Sequence, residues 1–392
     1  MQIKDASSIV NELYLEMTGT SDISQLDSMS IVDIGKKLAS FTTADIIYQK
    51  LSDKVGRIIV RNKKFKAKFM NLYRDGWEYG SIMEQAKIKP YTASTDLSRK
   101  PVSSFDYSSD LNTLELGDVI VSYYNKFDTF RIKYSKPNDQ LWGAFNSWED
   151  MTRFLSAIEV EVSNAVEKRL QGLAKTAINN MIAQTIHKDF PTPSSEGYNA
   201  NSYSRSINVL KLYNTAYGTS LTPQNCRQNA DFLKFFVKTV LNTKDRLTDI
   251  STLFNVAGED TFTREEDINT IVLSTVANDV KVNMQSDVYH KELVELPNYE
   301  TVPYWQASGL AYDESVISEV NCKIESGDTT ADVEISGVLA VMFDKNAVGI
   351  TCEKKKTTTN YIANVDCTNF YEVYEAQYFN QLGENFVVFY VA

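Results

Sequence analysis

Residues 147–186 read SWEDMTRFLSAIEVEVSNAVEKRLQGLAKTAINNMIAQTI, and this stretch decides how the chain is organised. Ser147 is a favourable N-cap with Asp150 three residues later, and apolar residues then recur at spacings of three and four. The stretch contains no proline and a single glycine, Gly172, before PTPSSEG at residues 191–197. The pattern predicts one helix over residues 147–187, roughly 60 Å long, which is longer than a typical compact domain is wide.

The chain before this helix predicts short helices and a basic segment. The amphipathic IVNELYLEM lies between a serine pair and Gly19, and a second helical pattern covers residues 31–38. Because isolated helices of this length are marginal in water, both must lie on a surface of their own chain or of a neighbour. GRIIVRN, residues 56–62, predicts a strand. It lies within residues 54–74, which carry eight Lys or Arg and no acid.

Two strand-like segments then flank a long polar connection. WEYGSIMEQAKI (77–88) and LGDVIVSYYN (116–125) are rich in alternating, aromatic or β-branched residues, whereas ASTDLSRKPVSSFDYSSDLN (93–112) has no regular apolar period. The pattern predicts a projecting hairpin, which needs a partner because a two-stranded ribbon is not stable by itself. An ordinary surface loop is an equally good interpretation of the pattern alone.

After the long helix the pattern alternates between helices and strands. NADFLKFFVKTVLN (229–242) predicts an amphipathic helix. TREEDINTIVLST (263–275) predicts a capped turn that leads into a short apolar strand, and residues 277–294 predict a further helix. Together these segments predict a separate mixed α/β unit inserted after the long helix.

A β-rich return closes the sequence. VLAVMFDKNAVGIT (338–351) predicts a strand, a turn at residues 344–346 and a second strand. EKKKTTT (353–359) is interpreted as a solvated link. NFVVFYVA (385–392) predicts an apolar strand that needs a covering partner.

Composition indicates a folded protein with an uneven charge. Of 392 residues, 43% are apolar and 23% charged, which is ordinary for a globular chain. The net charge of -11 opposes a general nucleic-acid or anionic-membrane binder, because such proteins need cationic surface. The acids concentrate in residues 249–328, where sixteen Asp or Glu stand against four Lys or Arg. The basic segment 54–74 would therefore face acids of a neighbouring chain or plain solvent.

Cysteine and hydropathy patterns exclude several classes of protein. The four cysteines are widely separated, form no CxxC pair and have no histidine at ligand spacing; they are Cys226, Cys322, Cys352 and Cys367. They are expected to be isolated thiols in a reducing cytoplasm. The first residues, MQIKDASSIVNELYL, lack an apolar signal region, and no segment approaches a membrane-spanning length of uncharged apolar residues. We therefore expect neither a standard export signal nor a membrane span.

The sequence offers few residues for catalysis. Its two histidines lie in no nucleophile-elbow, zinc-protease or catalytic-cysteine pattern. We expect His187 to interact with a helix C-terminus and His290 to be a surface residue. No phosphate-binding glycine loop is present, and GEDTFTREED (258–267) lacks the ligand spacing of a calcium loop. A glycosidase-type carboxylate pair is conceivable among the many acids but is not singled out, so we assign no catalytic, cofactor-binding or metal-ligating residue.

The order of these elements resembles the major capsid proteins of tailed bacteriophages with the Hong Kong 97-type fold, most like those of small podoviruses. WEYGSIMEQ looks like the start of that family's extended loop, and FDTFRIKYSKPNDQLWGAFNSWEDMTRFLSAIEVEVSNAVE is similar to its strand leading into the capped spine helix. INTIVLSTVANDVKVN resembles the axial-domain strand and helix, and VLAVMFDKNAVGIT resembles the return strand pair of the peripheral domain. The resemblance extends over roughly residues 75–392, and the order of the motifs carries it.

The resemblance implies an α+β architecture divided along the chain. Its parts are an N-terminal arm (1–75), an extended β-hairpin loop (76–126), a peripheral domain (127–202) with the spine helix (147–187), an axial α/β domain (203–335), and return strands of the peripheral domain with a C-terminal strand (336–392). On this interpretation VLAVMFDKNAVGIT is a central strand, a turn and a second strand, covered on one side by the spine helix. No signature of a cross-linking variant or of an added immunoglobulin-like domain is recognised.

The function that the resemblance implies is structural. The chain would be a non-enzymatic homo-oligomer that assembles, as pentamers and hexamers, into an icosahedral shell around phage double-stranded DNA. Scaffolding and portal proteins would be partners, the DNA would be contacted weakly and without sequence specificity, and no cofactor or membrane would be involved. The protein would be made in the bacterial host cytoplasm and reside in the virion. Two other classes stay open from the sequence: another virion component such as a tail or connector protein, and a soluble hydrolase with an unlocated carboxylate pair.

Overall fold

The computed structural model describes residues 3–19, 31–41, 46–48, 50, 69–74, 83–88, 119–124, 128–191, 202–285, 299–306, 318–326 and 329–392. They form two compact units, each assembled from separate stretches of chain. Unit 1 comprises Met1–Glu78, Lys126–Ala174 and Ile350–Tyr378, and unit 2 comprises Tyr79–Asn125, Lys175–Gly349 and Phe379–Ala392. The predicted strand at 56–62, most of the basic segment and the polar connection 93–112 lie outside the described residues.

The two short helices predicted near the N-terminus are confirmed. They are α1 (Ile3–Thr18), which begins before the serine pair expected to precede it, and α2 (Ile31–Phe41). Gly19 ends α1 with φ 66°, a conformation that glycine adopts readily. α2 packs on its own chain, since a Cβ added at Gly35 would lie 2.8 Å from the side chain of Phe145. Unit 1 itself therefore supplies the surface that α2 needs.

Unit 1 is built around a four-stranded sheet in the order β1-β11-β12-β4. Its strands are β1 (Tyr73–Arg74), β4 (Asp128–Pro137), which leads into the short helix α3 (Asn138–Ala144), β11 (Val348–Ile362) and β12 (Cys367–Asn380). Antiparallel pairing of β4 with β12 stacks Phe130 on Tyr374 at 5.3 Å between ring centroids. It also stacks Tyr134 on Phe370 at 4.7 Å, and Tyr48 meets Phe370 edge-on at 5.1 Å. These rings form the apolar face of the sheet.

The long helix forms as predicted. It is α4 (Trp148–Asp189), and the hydroxyl of Ser147 accepts the backbone N–H of Asp150 at 3.1 Å in the expected cap. His187 lies in the last turn of this helix, near the C-terminus as expected. The buried residues follow the predicted spacing: Met151, Leu155, Ile158, Val162, Val166, Leu170, Leu173, Ala177, Met181 and Ile182. The part of α4 up to Ala174 belongs to unit 1 and the remainder to unit 2.

Unit 2 is built around a five-stranded sheet in the order β5-β13-β10-β6-β7. Its strands are β5 (Ser206–Asn208), β6 (Ile268–Leu273), β7 (Tyr299–Val302), β10 (Val338–Asp344) and β13 (Phe386–Tyr390). β10 is central and antiparallel to both β6 and β13, and every residue of β10 and β13 is buried. Phe343 stacks on Phe386 at 5.3 Å between ring centroids. The apolar strand predicted near residue 390 therefore has its covering partners in β5 and β10.

Three helices of unit 2 confirm the mixed pattern predicted after the long helix. They are α5 (Val209–Tyr217), α6 (Ala230–Leu247) and α7 (Ser274–Gln285). Asn229 caps α6 by accepting the backbone N–H groups of Asp231 and Phe232 at 2.9 and 3.1 Å. Phe236 on the buried side of α6 meets Phe389 of β13 edge-on at 6.3 Å, so the amphipathic pattern of this helix faces the sheet.

Two antiparallel ribbons also belong to unit 2. β2 (Met83–Ile88) pairs with β3 (Val119–Tyr124), and β8 (Val320–Ser326) pairs with β9 (Thr329–Ile335). The first ribbon confirms the predicted hairpin strands, while their connection, residues 89–118, lies outside the described residues. Within the described part of the chain, β2 and β3 have no strand partner except each other.

VLAVMFDKNAVGIT forms the predicted strand, turn and second strand, and its two strands lie in different sheets. One prediction for the β-rich return needs correction. EKKKTTT is not a solvated link but the middle of β11. Lys354 in this segment lies 3.2 Å from the buried carboxylate of Glu372 in β12. A contact between separate strands therefore holds the segment in the sheet, and the local sequence does not reveal it.

Candidate assembly surfaces

The described residues contain no group of three His, Cys, Asp or Glu side chains placed to hold a metal ion, and His290 lies outside them. Two buried acids have structural partners instead. Asp344 accepts the backbone N–H of Asn346 at 2.8 Å and closes the turn after β10, and burial raises the pKa of its carboxyl. Burial also raises the pKa of Glu384, with a contribution from the charge of Asp344. Both acids therefore bind groups of their own chain, Asp344 the backbone of Asn346 and Glu384 the ammonium of Lys87.

All four cysteines are free thiols, as predicted. Burial raises the pKa of Cys226 and Cys322 to about 11 and the pKa of Cys352 to about 12. The thiolate is the reactive form of cysteine, so these side chains are poor nucleophiles at neutral pH. No helix in the described ranges is both long and apolar enough to cross a membrane. The features that stand out in the molecule are therefore its surfaces.

The ribbon of β2 and β3 is attached to the core of unit 2 by Lys87. Its Nζ lies 3.3 Å from Oε1 of Glu384 and donates to Oγ1 of Thr261 at 3.0 Å. It also donates to the backbone oxygen of Gly383 at 2.8 Å. The side chains of Lys87 and Glu384 are 18% and 12% exposed, so the ion pair is largely removed from water. This contact fixes the ribbon to the turn before β13, at the end of β2 that leads into the connection 89–118.

We expect Lys87→Met to loosen the ribbon and to destabilise unit 2. The substitution keeps an unbranched side chain but leaves the carboxylate of Glu384 buried without its cation, and breaking such a buried pair costs about 3–5 kcal/mol. Because Glu384 can take up a proton, the free energy of unfolding in urea should fall by less, about 2–3 kcal/mol. Amide hydrogen exchange should accelerate in Met83–Ile88 and Val119–Tyr124.

Lys323 offers a matched control on the other ribbon. It lies 3.6 Å from Asp332, but both side chains are exposed. Lys323→Met should therefore change the free energy of unfolding by less than about 1 kcal/mol. Adding Glu384→Gln to Lys87→Met removes the unpaired charge and should restore part of the lost stability. Equal effects of the two lysine substitutions would show that Lys87 is not an anchor.

The loop formed by residues 248–263, between α6 and β6, is held by backbone hydrogen bonds. Ser251 and Thr261 form an antiparallel bridge with N–O distances of 3.0 and 3.3 Å. The side chain of Asn255 accepts the backbone N–H of Glu259 at 2.8 Å and donates to its carbonyl at 2.6 Å. Backbone bonds of 2.9 Å tie the loop to β13 and to the turn before it. The 248–263 loop is thus a compact surface structure with little freedom to move.

This loop exposes three large apolar side chains. Ile250, Leu253 and Phe262 are 64%, 57% and 50% exposed. Ile250 and Phe262 flank the bridge on its two strands, and positions that face each other across an antiparallel pair place their side chains together on one face. Two exposed acids are close in the chain: Asp249 is adjacent to Ile250, and Asp260 is two residues before Phe262. An apolar centre with a charged rim is typical of a protein contact.

One face of the four-stranded sheet in unit 1 carries exposed cations. Side chains of β4 alternate between the two faces, and Arg131 and Lys133 are exposed on the face opposite the stacked rings. Their cationic groups lie over the ring of Tyr371, 6.0 and 5.5 Å from its centroid. We call Arg131, Lys133 and Tyr371 the basic face. Neither cation forms an ion pair with any residue that the structure describes.

The other face of this sheet buries a carboxylate with three partners. Glu372 is 1% exposed and accepts the hydroxyl groups of Tyr134 at 3.2 Å and Tyr374 at 2.7 Å. Nζ of Lys354 lies 3.2 Å from the same carboxylate. A buried charge is tolerated when it is paired and hydrogen-bonded. The network joins β4, β11 and β12, so the basic face stands on a firmly connected sheet.

The sequence predicted the hairpin strands. It did not predict the anchor at Lys87, the exposed 248–263 loop or the basic face. Lys87 and Glu384 lie near opposite ends of the chain, and nothing in either local sequence points to the other. The apolar residues of STLFNVAGEDTFT (251–263) could equally belong to a core. The only available signal was that this segment has no helical or strand period, which is unusual for apolar residues that are buried.

Comparisons with known proteins agree with an assembly role. The sequence matches the family described as Phi29-like phage major capsid protein over residues 6–390. Curated proteins give no match. Among solved structures, the chain is similar to the capsid of Staphylococcus phage Andhra, with 10% sequence identity, a TM-score of 0.48, and coverage of 83% of this chain and 84% of that one. It is also similar to the capsid of Cyanophage P-SCSP1u, with 12% identity, a TM-score of 0.44, and coverage of 83% and 89%.

The family match spans nearly the whole sequence and confirms the predicted capsid role. It does not favour a tail or connector protein or a hydrolase. Capsids are assembled from many subunits. The chain belongs to the Phi29-like phage major capsid protein family and is a structural subunit of the virion.

Proposed function

We propose that the chain uses the Hong Kong 97-type arrangement to build an icosahedral shell of pentamers and hexamers around double-stranded phage DNA. The parts are those predicted from the sequence: arm 1–75, extended loop 76–126, peripheral domain 127–202 with return strands 336–392, and axial domain 203–335. The ribbon of β2 and β3 is the observation that carries this proposal.

The ribbon needs a surface beyond its own unit. A two-stranded ribbon is unstable in water unless it packs on something, and the described part of this one pairs with no third strand. Lys87 holds the ribbon to its own unit only at the end of β2, where the connection 89–118 begins. A neighbouring subunit is the natural support. Contacts of this head-to-tail kind close into rings, and several modest interfaces of about 1,600 Å² each hold a shell together by multivalency.

The charge of the chain suits a container for DNA. A strongly cationic lining would hold phosphate too tightly for release, whereas a subunit with net charge -11 contacts DNA weakly and without reading its sequence. Scaffolding and portal proteins are the remaining proposed partners. A scaffold would set the curvature of the closed shell, and a portal would provide an entry point for DNA.

Electron microscopy of the purified protein, expressed with its natural assembly partners, tests this function. We expect closed icosahedral particles whose vertices and faces resolve into pentamers and hexamers. A ring with one fixed subunit number would instead indicate a connector, and a small soluble oligomer would refute the shell. Particles of either alternative kind would reject the proposal.

A further inference from the structure

We propose that the 248–263 loop of one copy docks on the basic face of a second copy. This inference rests on the proposed function, since it requires that copies assemble. It assigns a partner to two exposed surfaces that the fold of the single chain does not use.

The two surfaces are complementary in charge. The loop presents exposed acids, Asp249 and Asp260, beside its apolar side chains. On unit 1, Lys355 lies 2.6 Å from Glu353 and 3.7 Å from Glu375, so it neutralises acids of its own sheet. Among the described residues, neither Arg131 nor Lys133 forms an ion pair. A partner molecule can therefore supply their countercharge. Such complementarity sets the register of a contact and excludes wrong pairings.

The surfaces also match in apolar character. Phe262 and Ile250 lie opposite each other across the bridge and are exposed, and the basic face contains the aromatic ring of Tyr371 close to its two cations. Aromatic residues with arginine are the typical centre of protein interfaces. In the proposed contact, the ring of Tyr371 packs against Phe262. The cations of the basic face then lie close to the two acids of the loop.

Rigidity favours docking by the loop. Its backbone bonds fix the conformation before binding, so little conformational entropy is lost on contact. The loop is also joined to the ribbon of β2 and β3, because Lys87 donates to Thr261 at 3.0 Å. The ribbon and the 248–263 loop are therefore connected within unit 2. A neighbouring subunit that supports the ribbon would also contact the loop.

A second copy is the partner that these observations favour. Each chain carries both surfaces, so each subunit can give one contact and receive another, which is the requirement for a ring that closes. DNA would bind the cations but would be repelled by the acids of the loop. Binding of the basic face to DNA is therefore the alternative that the test must separate.

Charge reversal in both directions tests the proposal. We compare wild type, Asp249→Lys with Asp260→Lys, Arg131→Glu with Lys133→Glu, and the quadruple variant that restores opposite charges with the signs exchanged. Each double variant should lower the yield of closed particles by about tenfold or more, because like charges then face each other across the contact. The quadruple variant should recover most of the wild-type yield. All four positions are exposed, so thermal unfolding of the subunits should be unchanged.

The outcomes separate this contact from the shell itself. Particles at normal yield from either double variant would overturn the docking proposal while leaving the shell intact. Failure of the quadruple variant to recover would also overturn it. Shells that form from the Arg131→Glu, Lys133→Glu variant but package less DNA would assign the basic face to DNA instead. If wild type itself forms no closed particles, the proposed function fails and this inference fails with it.

Discussion

Phe343→Ala is expected to lower the free energy of unfolding by about 3–5 kcal/mol, as for other fully buried phenylalanines. Phe343 is inaccessible to solvent in the central strand β10 and stacks on Phe386 of β13. Strands on both sides of β10 prevent the surroundings from collapsing into the cavity. The measurement is urea unfolding of unassembled subunits, followed by near-ultraviolet circular dichroism.

Phe262→Ala is the matched control for this substitution. The residue type is the same, but this side chain is half exposed, so the loss should be below about 1 kcal/mol. The same control should lower particle yield if the 248–263 loop makes a contact between copies. A loss of less than about 1 kcal/mol from Phe343→Ala would contradict the central position of β10.

Deleting residues 94–110 should abolish closed particles while leaving a folded subunit. The deleted residues lie between β2 and β3, outside the described part of the chain. The sheets of both units, and the anchor at Lys87, would remain, so helix content and thermal unfolding should match wild type. Assembly should fail because the shortened ribbon cannot reach its support on a neighbour. Circular dichroism and negative-stain microscopy measure the two effects.

A Gly-Ser replacement of the same length separates reach from side-chain chemistry. If the residues at the tip make specific contacts, this variant should fail to assemble just as the deletion does. If only the span matters, it should form particles and the deletion should not. Normal particles from the deletion itself would show that the ribbon is not an assembly element.

Local signals predicted the elements of this fold well. The helix α4 was recoverable because its cap and its apolar spacing lie within the helix itself, and the hydrogen bond between Ser147 and Asp150 is made as expected. The same holds for α6, where Asn229 precedes an amphipathic run. β10 was predicted because an apolar run this short, bounded by turn residues, suits a strand buried on both faces.

Long-range pairing was not recoverable from the sequence. Lys354 looks solvated in EKKKTTT, yet its partner Glu372 comes from the next strand of the sheet. The sheet switch after β10 depends in the same way on which strands lie alongside it, namely β6 and β13. The basic face combines residues of β4 and β12, which are far apart in the sequence, so neither local segment reveals it.

The position of β13 makes unit 2 dependent on a finished polypeptide. β13 lies between β5 and β10, so a product that stops before Phe386 would leave the buried edges of both strands open. Such truncated products would be substrates for chaperones and proteases rather than for the lattice. We therefore expect a chain that stops before β13 to be absent from assembled particles.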